Sequence, residues 1–248
     1  MSGHSKWSTI KRKKGANDAK RGKIFTKLIR EITVSARNGG DEANNPNLRT
    51  AVQNAKVVNM PQATIDRAIR RGTGDEPGAI YEANMYEGYG SGGVAIIVET
   101  LTDNKNRTVA EVRHAFTKYN GNLGESGAVS WMFDPKGVIE ISKSDIDEEG
   151  LMMAVMEAGA EDIQDGDEVH EVIAAVANFE AVKQALEENG IAYLQASLAW
   201  LPQNLLEVEG GEAEKVVRLL EAIEDLDDVQ KVYSNFDVQE EELQKLMA

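Results

Sequence analysis

The sequence predicts an α+β fold of three domains: an N-terminal three-helix domain, a discontinuous α+β domain and an inserted ferredoxin-like α+β domain. Residues 1–73 show helical periodicity without a strand pattern, whereas strand-rich runs begin after them. Residues 135–202 then give the order β-α-β-β-α-β, which is the order of ferredoxin-like domains. A chain of 248 residues is long enough for two or three domains.

The N-terminal domain, residues 1–73, is predicted to form three helices behind a basic arm at residues 1–16. The first helix ends at Gly39-Gly40, because paired glycines commonly terminate helices. The second begins at Asn45-Pro46, which supplies a capping side chain and a first-turn proline. Met60-Pro61 ends that helix and starts the third, which runs to the next glycine.

The first helix is expected to bury one face and to expose the other. Its apolar residues recur at helical spacing, and they are Ile24, Phe25, Leu28, Ile29, Ile32 and Ala36. Its cations fall on the opposite face and are Lys23, Lys27, Arg30 and Arg37. We therefore expect this helix to turn a row of cations to solvent. The third helix is expected to do the same with Arg67, Arg70 and Arg71.

The rest of the chain is predicted to form two interlocked domains. Residues 80–134 and 203–238 make a discontinuous α+β domain, because the second segment is too short to be stable alone. Residues 135–202 are the ferredoxin-like unit inserted between them, and residues 72–78 are a glycine-rich linker. The elements expected in the first segment are a strand at 94–101, a helix at 108–119 and a strand at 128–133.

Composition excludes several classes of protein. Apolar content of 42% and charged content of 28% are typical of a folded soluble chain. The absence of cysteine excludes disulfides and cysteine-based metal sites. The sequence has neither an apolar signal core nor a run of membrane-spanning length, so we expect a cytoplasmic protein.

Enzymatic chemistry is poorly supported. The histidines His4, His114 and His170 are isolated and lack the spacing of paired metal ligands. Gly88, Gly90 and Gly93 match a dinucleotide-binding pattern, but a strand-like run follows where that site needs a helix. The glycines therefore indicate a glycine-rich hairpin or a connection between strands. We expect a non-enzymatic protein without a cofactor or a metal.

The charge of the chain is strongly segregated. Residues 1–73 carry 16 Lys and Arg against 5 Asp and Glu, a net charge of +11, whereas the remainder carries −26. Such asymmetry within an acidic chain indicates a basic surface for a polyanion, most often nucleic acid. A solvated helix face with a basic tail is the alternative explanation.

The predicted nucleic-acid-binding residues come from this basic region. They are Lys6, Trp7, Lys11, Arg12, Lys13, Lys14, Lys20, Arg21, Lys23, Lys27, Arg70 and Arg71. Six phosphate contacts would give a slope of about −5 in log K against log salt. The indole at position 7 can stack on a base or pack against the helical domain, and the sequence leaves both open.

A second anion contact is predicted at Lys105 and Arg107. These cations precede Thr108-Val109-Ala110-Glu111, a capping-box pattern at which a helix is expected to begin. Main-chain N–H groups at a helix start can receive a phosphate. A plain loop with a cap explains the same pattern nearly as well.

Four segments form a specific set in one order along the chain. They are Gly3-His4-Ser5-Lys6-Trp7, Asp18 to Lys27, Tyr86 to Gly90 and Thr102 to Arg113, and the pattern continues through Asn122-Leu123-Gly124 and Gly127 to Phe133. This set resembles the YebC/PmpR family of probable transcriptional regulatory proteins. It is also similar to the mitochondrial translational activator of cytochrome oxidase.

The resemblance implies a helical N-terminal domain and two α+β domains, one inserted in the other. It implies a DNA-binding transcriptional regulator, whereas the mitochondrial activator implies messenger RNA and the ribosome. Many family members have histidine where this chain has Arg12, so a role carried over to that position is cationic and not titrating near neutral pH.

We therefore expect a nucleic-acid-binding regulator of gene expression, acting on DNA in transcription. A ribosome- or mRNA-associated translation factor is the alternative. The expected partners are nucleic acid (DNA, or ribosomal or messenger RNA) and the ribosome or the transcription machinery, and not a membrane. A protein-interaction module that acts through its acidic ferredoxin-like unit is the other class of function.

Overall fold

The computed structural model describes residues 18–166, 168–239 and 242, with side chains from Gly22 onward. Its helices are α1 Asp18–Ser35, α2 Pro46–Val57, α3 Gln62–Thr73, α4 Lys105–Lys118, α5 Glu148–Val155, α6 Phe179–Glu188 and α7 Gly210–Glu224. Its strands are β1 Glu82–Tyr89, β2 Ala95–Thr102, β3 Asn122–Leu123, β4 Phe133–Ser142, β5 Ala160–Asp165, β6 Val169–Ala175, β7 Gln195–Pro202, β8 Leu206–Glu207, β9 Val229–Ser234 and β10 Phe236–Asp237. The predicted α+β class with an N-terminal helical domain is confirmed.

In the helical domain, one side chain, that of Asn45, bonds to the ends of two helices. The Asn45 side chain accepts a hydrogen bond from the Leu48 N–H and so caps α2, as predicted. Its amide nitrogen also donates to the carbonyls of Ser35 and Gly39, each at 2.8 Å. The end of α1 is therefore fixed to the start of α2. A glycine with φ of 130° makes the turn possible at Gly39.

The core of this domain lies between the three helices. A Cβ at Gly72 would clash with the Thr33 carbonyl oxygen and with Ala36, so α3 can cross α1 closely only because this residue is glycine. The fully buried apolar residues that fill the core are Ile32, Ala36, Leu48, Ala51, Val52, Ala55 and Ile65.

The second domain is built on a four-stranded sheet in the order β3-β1-β2-β9, with α4 and α7 packed on one face. β1 and β2 pair as an antiparallel hairpin, whose turn is closed by the Gly90 N–H bonded to the Val94 carbonyl at 2.8 Å. The glycine-rich hairpin predicted from the sequence is confirmed. A Cβ at Gly88 would lie 2.7 Å from Phe116, so the missing side chain lets α4 pack onto the sheet.

The inserted unit is a second four-stranded antiparallel sheet in the order β5-β6-β4-β7. α5 and α6 cover its inner face, where Ile139, Leu151 and Leu186 are fully buried. Its elements follow the predicted β-α-β-β-α-β order, and the ferredoxin-like topology is confirmed. A further apolar cluster, which includes Ile97 and Val138, joins this sheet to the other one.

Two predicted elements differ from the structure. The strand expected at 128–133 is wrong, because Ser130–Met132 form a single turn of 3-10 helix and β4 begins only at Phe133. The main-chain N–H groups of this segment bond to a buried carboxylate and not to a strand. The helix expected from Thr108 begins three residues earlier, because Asn104 caps it by accepting from the Arg107 N–H at 3.1 Å. Across the described residues, none of the helices has the length and apolarity needed to cross a membrane.

Candidate nucleic-acid interface

The predicted binding residues fall into three groups. Lys6, Trp7, Lys11, Arg12, Lys13 and Lys14 lie outside the described residues. Lys20 and Arg21 belong to the first turns of α1, and the description of side chains begins after them. The remaining candidates, which the structure does describe, are Lys23, Lys27, Arg70, Arg71, Lys105 and Arg107.

The cationic face of α1 lies partly against the protein, which corrects the prediction for Lys23, Lys27 and Arg30, whereas Arg37 is exposed as expected. This face contacts the segment Glu224-Asp225-Leu226-Asp227-Asp228, which we call the acidic loop. The Lys23 ammonium lies 2.8 Å from the Asp225 carboxylate, and that of Lys27 donates to the Glu224 carbonyl at 3.1 Å. The physical reason is the end of α7, whose last carbonyls lack helical partners and carry partial negative charge.

Arg30 continues the same row of cations into the protein. Its guanidinium donates to an Asp228 carboxylate oxygen at 3.0 Å and to the main-chain carbonyls of Leu101 and Asp227. Only 13% of the Arg30 side chain and 2% of the Asp228 side chain are exposed. The ion pairs of α1 therefore become more buried along the helix, from the exposed pair of Lys23 to the buried pair of Arg30.

Asp228 is the centre of a buried network. Its second oxygen accepts from the Arg107 guanidinium at 2.7 Å, from the Thr108 hydroxyl at 2.7 Å and from the Thr102 hydroxyl at 3.0 Å. Burial alone would raise the pKa of Asp228, but these hydrogen bonds outweigh burial, and the pKa is lowered. The segment Thr102 to Thr108 thus folds around a carboxylate from the far end of the chain.

The network around Asp228 also includes Arg107, which is one of the two residues of the second predicted anion site. The hydrogen bonds that Arg107 donates to Asp228 and, to a lesser extent, to Asp103 raise the pKa of Arg107, so its guanidinium stays charged and already has two carboxylate partners. Lys105 is exposed at the first turn of α4. A phosphate at this helix start would meet a lysine that faces solvent and an arginine held by carboxylates.

The arginines of α3 are exposed, as expected. The exposed fractions of the Arg67, Arg70 and Arg71 side chains are 61%, 50% and 39%. We call these three residues the arginine cluster. All three lie 3.5 to 3.8 Å from the carboxylate of Glu76, which enters the cluster from the following linker. One carboxylate thus lies beside three guanidinium groups at this surface.

The other side of the helical domain is docked on the inserted domain through α2. The Lys183 ammonium is 3% exposed and donates to the Thr50 hydroxyl at 2.6 Å. The Asn54 side chain bonds to both the N–H and the carbonyl of Ala196. While α1 contacts the acidic loop and α2 contacts the inserted domain, α3 presents three arginine side chains that are each at least 39% exposed.

The cleft between the three domains has the wrong charge for a phosphate. It has a volume of about 780 Å³ and is bordered by α1, by the second sheet and by β7. Its lining contains four carboxylates and two ammonium groups, from Glu31, Glu99, Glu140, Glu224, Lys27 and Lys231. This cleft is therefore less suited to a polyanion than the arginine cluster is.

A second buried carboxylate shapes the loop before β4. Glu87 is 2% exposed and accepts from the N–H groups of Gly127, Val129 and Ser130 at 2.7 to 2.8 Å. Burial would raise the pKa of Glu87, but these main-chain donors outweigh it and the pKa is lowered. The loop so fixed holds Trp131 with 68% of its surface exposed.

Two family models match the chain and together span most of it. One is described as "TACO1/YebC protein N-terminal domain" and matches residues 5–75. The other is described as "TACO1/YebC second and third domain" and matches residues 81–236. The chain belongs to the TACO1/YebC family. The resemblance read from the sequence motifs is thereby confirmed.

Relatives of this TACO1/YebC chain are named probable transcriptional regulatory proteins. One from Desulfosudis oleivorans is 56% identical over 236 residues, which cover 95% of this chain and 96% of the relative. One from Geobacter sulfurreducens is 55% identical over the full length of both chains. The crystal structure of a conserved hypothetical protein from Aquifex aeolicus is 47% identical, with a TM-score of 0.85, and the match covers 90% of this chain and 93% of that one. The relatives' names indicate regulatory rather than enzymatic proteins.

Sequence reasoning missed the two carboxylates that organise this TACO1/YebC fold. Asp228 lies in an acidic run that has the composition of a solvated turn, and Glu87 is one acid among 42 acidic residues. Nothing local distinguishes a buried carboxylate from an exposed one. The only available signal was the polar composition of Thr102 to Thr108, whose donor groups need an acceptor if they are buried.

Proposed function

We propose that this TACO1/YebC protein is a non-enzymatic, nucleic-acid-binding regulator of gene expression that acts on DNA in transcription. The names of its relatives support a regulatory role, and the segregated charge supports a polyanionic partner. The observation that carries the proposal is the arginine cluster. It presents three guanidinium groups on one exposed helix of the basic domain.

The chemistry of the cluster suits a phosphate backbone. A guanidinium binds a phosphate through two parallel hydrogen bonds, which gives it more affinity and direction than a lysine ammonium. The Glu76 carboxylate lies 3.5 Å or more from each guanidinium group, so its ion pairs with the cluster are long and partly exposed. A phosphate can replace such pairs at little cost, because exposed pairs contribute only about 0–1 kcal/mol.

The basic arm, Lys6 to Lys14, with Lys20 and Arg21, would add phosphate contacts to those of the cluster. In this proposal the arm supplies much of the affinity, and α3 supplies a rigid anchor that fixes how the duplex lies on the domain. The acidic remainder, with its net charge of −26, repels the same polyanion and so restricts binding to the basic face.

The test is a double substitution in the cluster, Arg70→Gln with Arg71→Gln, measured by fluorescence anisotropy with duplex DNA. Two lost phosphate contacts should weaken binding on every sequence and reduce the slope of log K against log salt by about 1.8 between 50 and 200 mM. The control is Arg218→Gln, which removes an arginine that is 62% exposed from the acidic α7. If the double variant binds as the control does, the cluster is not the interface.

A second candidate function is translation, through ribosomal or messenger RNA. One observation favours it: α2 and α3 are joined by four residues, as in a helix-turn-helix, yet the residues of α2 contact the inserted domain. In a helix-turn-helix the first helix crosses the DNA backbone. Recognition of RNA by shape and backbone does not need that arrangement.

Co-sedimentation with ribosomes at 50 and 200 mM salt separates the two functions. Stable co-sedimentation at both concentrations, together with salt-sensitive DNA binding of no sequence preference, would favour translation. Loss from ribosomes at the higher concentration, with retained preference for particular duplexes, would favour transcription.

A further inference from the structure

We propose that the acidic loop competes with nucleic acid for Lys23 and Lys27, so that this TACO1/YebC protein restrains its own binding surface. The loop offers these cations one carboxylate and two main-chain carbonyls at the positions where phosphate oxygens would otherwise bind. The inference rests on the proposed function, since it describes how the same basic domain is regulated.

The ligands that the loop provides resemble those of a phosphate backbone. The Lys23 ammonium contacts both the carboxylate of Asp225, at 2.8 Å, and its carbonyl oxygen, at 3.2 Å. The Lys27 ammonium donates to the Glu224 carbonyl oxygen at 3.1 Å. These carbonyls end α7 and carry the partial negative charge of the helix C-terminus. A cation held in this way is neutralised much as it would be by a phosphate.

The contacts differ in how easily they can be replaced. The Lys23 and Asp225 side chains are 45% and 76% exposed, and an exposed pair changes an equilibrium by no more than about fivefold. Arg30 and Asp228 are almost fully buried, and breaking a buried pair changes an equilibrium by a factor of more than about 100. A polyanion can therefore capture the outer two cations while Arg30 keeps the domains together.

The positions of Lys23 and Lys27 allow phosphates to replace the loop contacts without separating the domains. Lys23 lies two residues beyond Arg21, so it continues the basic sequence that the proposed function assigns to nucleic acid. Lys23 and Lys27 are one turn apart on α1, which lets successive phosphates reach both. The loop needs to move away only at Glu224 and Asp225, and the network around Asp228 can stay intact.

The experiment compares two substitutions in the same loop. Asp225→Asn removes the carboxylate that holds Lys23. Asp227→Asn removes the same charge two residues away, where the side chain is exposed and Arg30 uses only the main-chain carbonyl. Binding of duplex DNA and of a single-stranded RNA by the full chain is measured by anisotropy at 50 and 200 mM salt.

We expect Asp225→Asn to tighten binding by about two- to fivefold, the range of an exposed ion pair, and to steepen the salt slope by about 0.9, the contribution of one added phosphate contact. Asp227→Asn should change affinity by less than about twofold, through general repulsion alone. In the background of Lys23→Gln, the Asp225→Asn substitution should lose its effect, because the cation that it releases is absent.

Equal effects of the two loop substitutions would overturn the inference and leave only overall charge repulsion. An effect of Asp225→Asn that persists with Lys23→Gln would overturn it as well. If neither the wild type nor any variant binds DNA or RNA at 50 mM salt, the proposed function fails together with the inference. If the wild type binds and responds to the arginine-cluster variant, but the loop variants do not differ, only the inference fails.

Discussion

The strongest structural prediction concerns the buried carboxylate that joins the basic domain to the rest of the chain. Asp228→Asn keeps the size of the side chain and removes its charge. In the wild-type protein the Asp228 carboxylate accepts hydrogen bonds from the guanidinium groups of Arg30 and Arg107 and from the hydroxyls of Thr102 and Thr108. We expect a large loss of stability, because one guanidinium would remain buried without its counter-charge.

The magnitude follows from how exposed each partner is. Removing one member of a buried ion pair costs about 3–5 kcal/mol, and Arg30 is in that situation with 13% of its side chain exposed. Arg107 is 44% exposed and keeps Asp103, so its share is no more than about 1 kcal/mol. The expected total is about 3–5 kcal/mol. The exposed pair of Asp225 and Lys23 predicts less than about 1 kcal/mol for Asp225→Asn.

Equilibrium unfolding in urea, followed by far-ultraviolet circular dichroism, measures both values. With a urea dependence of about 1–3 kcal/mol per molar, Asp228→Asn should lower the midpoint by at least about 1 M. Asp225→Asn serves as the matched control and should lower it by a few tenths. A midpoint for Asp228→Asn close to that of the control would refute the buried network.

Two further predictions concern acid and packing. The pKa values of Asp228 and Glu87 are lowered, so the stability from their ionisation is complete above the ordinary carboxyl pKa of about 4 and is lost as the pH falls below it. The stability gap between wild type and Asp228→Asn should therefore narrow from pH 7 to pH 3 in urea titrations, and a constant gap would contradict the ionised assignment. Gly137→Ala should lower the free energy of unfolding, measured by thermal unfolding, by about 1–3 kcal/mol, because the added Cβ would overlap the Phe179 ring. Gly211→Ala, whose Cβ meets nothing within 4 Å, is the control and should be near neutral.

The fold could be predicted because its signals are local. Helical spacing in α1, the Asn45-Pro46 start of α2 and the alternation of helices and strands in residues 135–202 each depend on a few neighbouring residues. Those signals set the order of elements, and the order of elements in turn limits the topology. The errors occurred at Thr108 and at 128–133, where a capping asparagine and a distant carboxylate replaced the expected pattern.

The candidate site was harder to predict, because it depends on contacts across the chain. Periodicity correctly divided α1 into an apolar face and a cationic face, but it could not tell that Asp225 and Asp228, about 200 positions later, would cover the cations. A charged face is ordinarily turned to water. The same reasoning succeeded for Arg70 and Arg71, because the carboxylate that reaches them, Glu76, belongs to the adjoining linker.

Chemical modification of arginine tests the central claim most directly. The full chain is treated with phenylglyoxal, with and without saturating duplex DNA, and the modified residues are identified by mass spectrometry. The account predicts that Arg67, Arg70 and Arg71 become protected by DNA, whereas Arg218 on the acidic α7 keeps its reactivity. Full reactivity of the arginine cluster in the presence of bound DNA would contradict it.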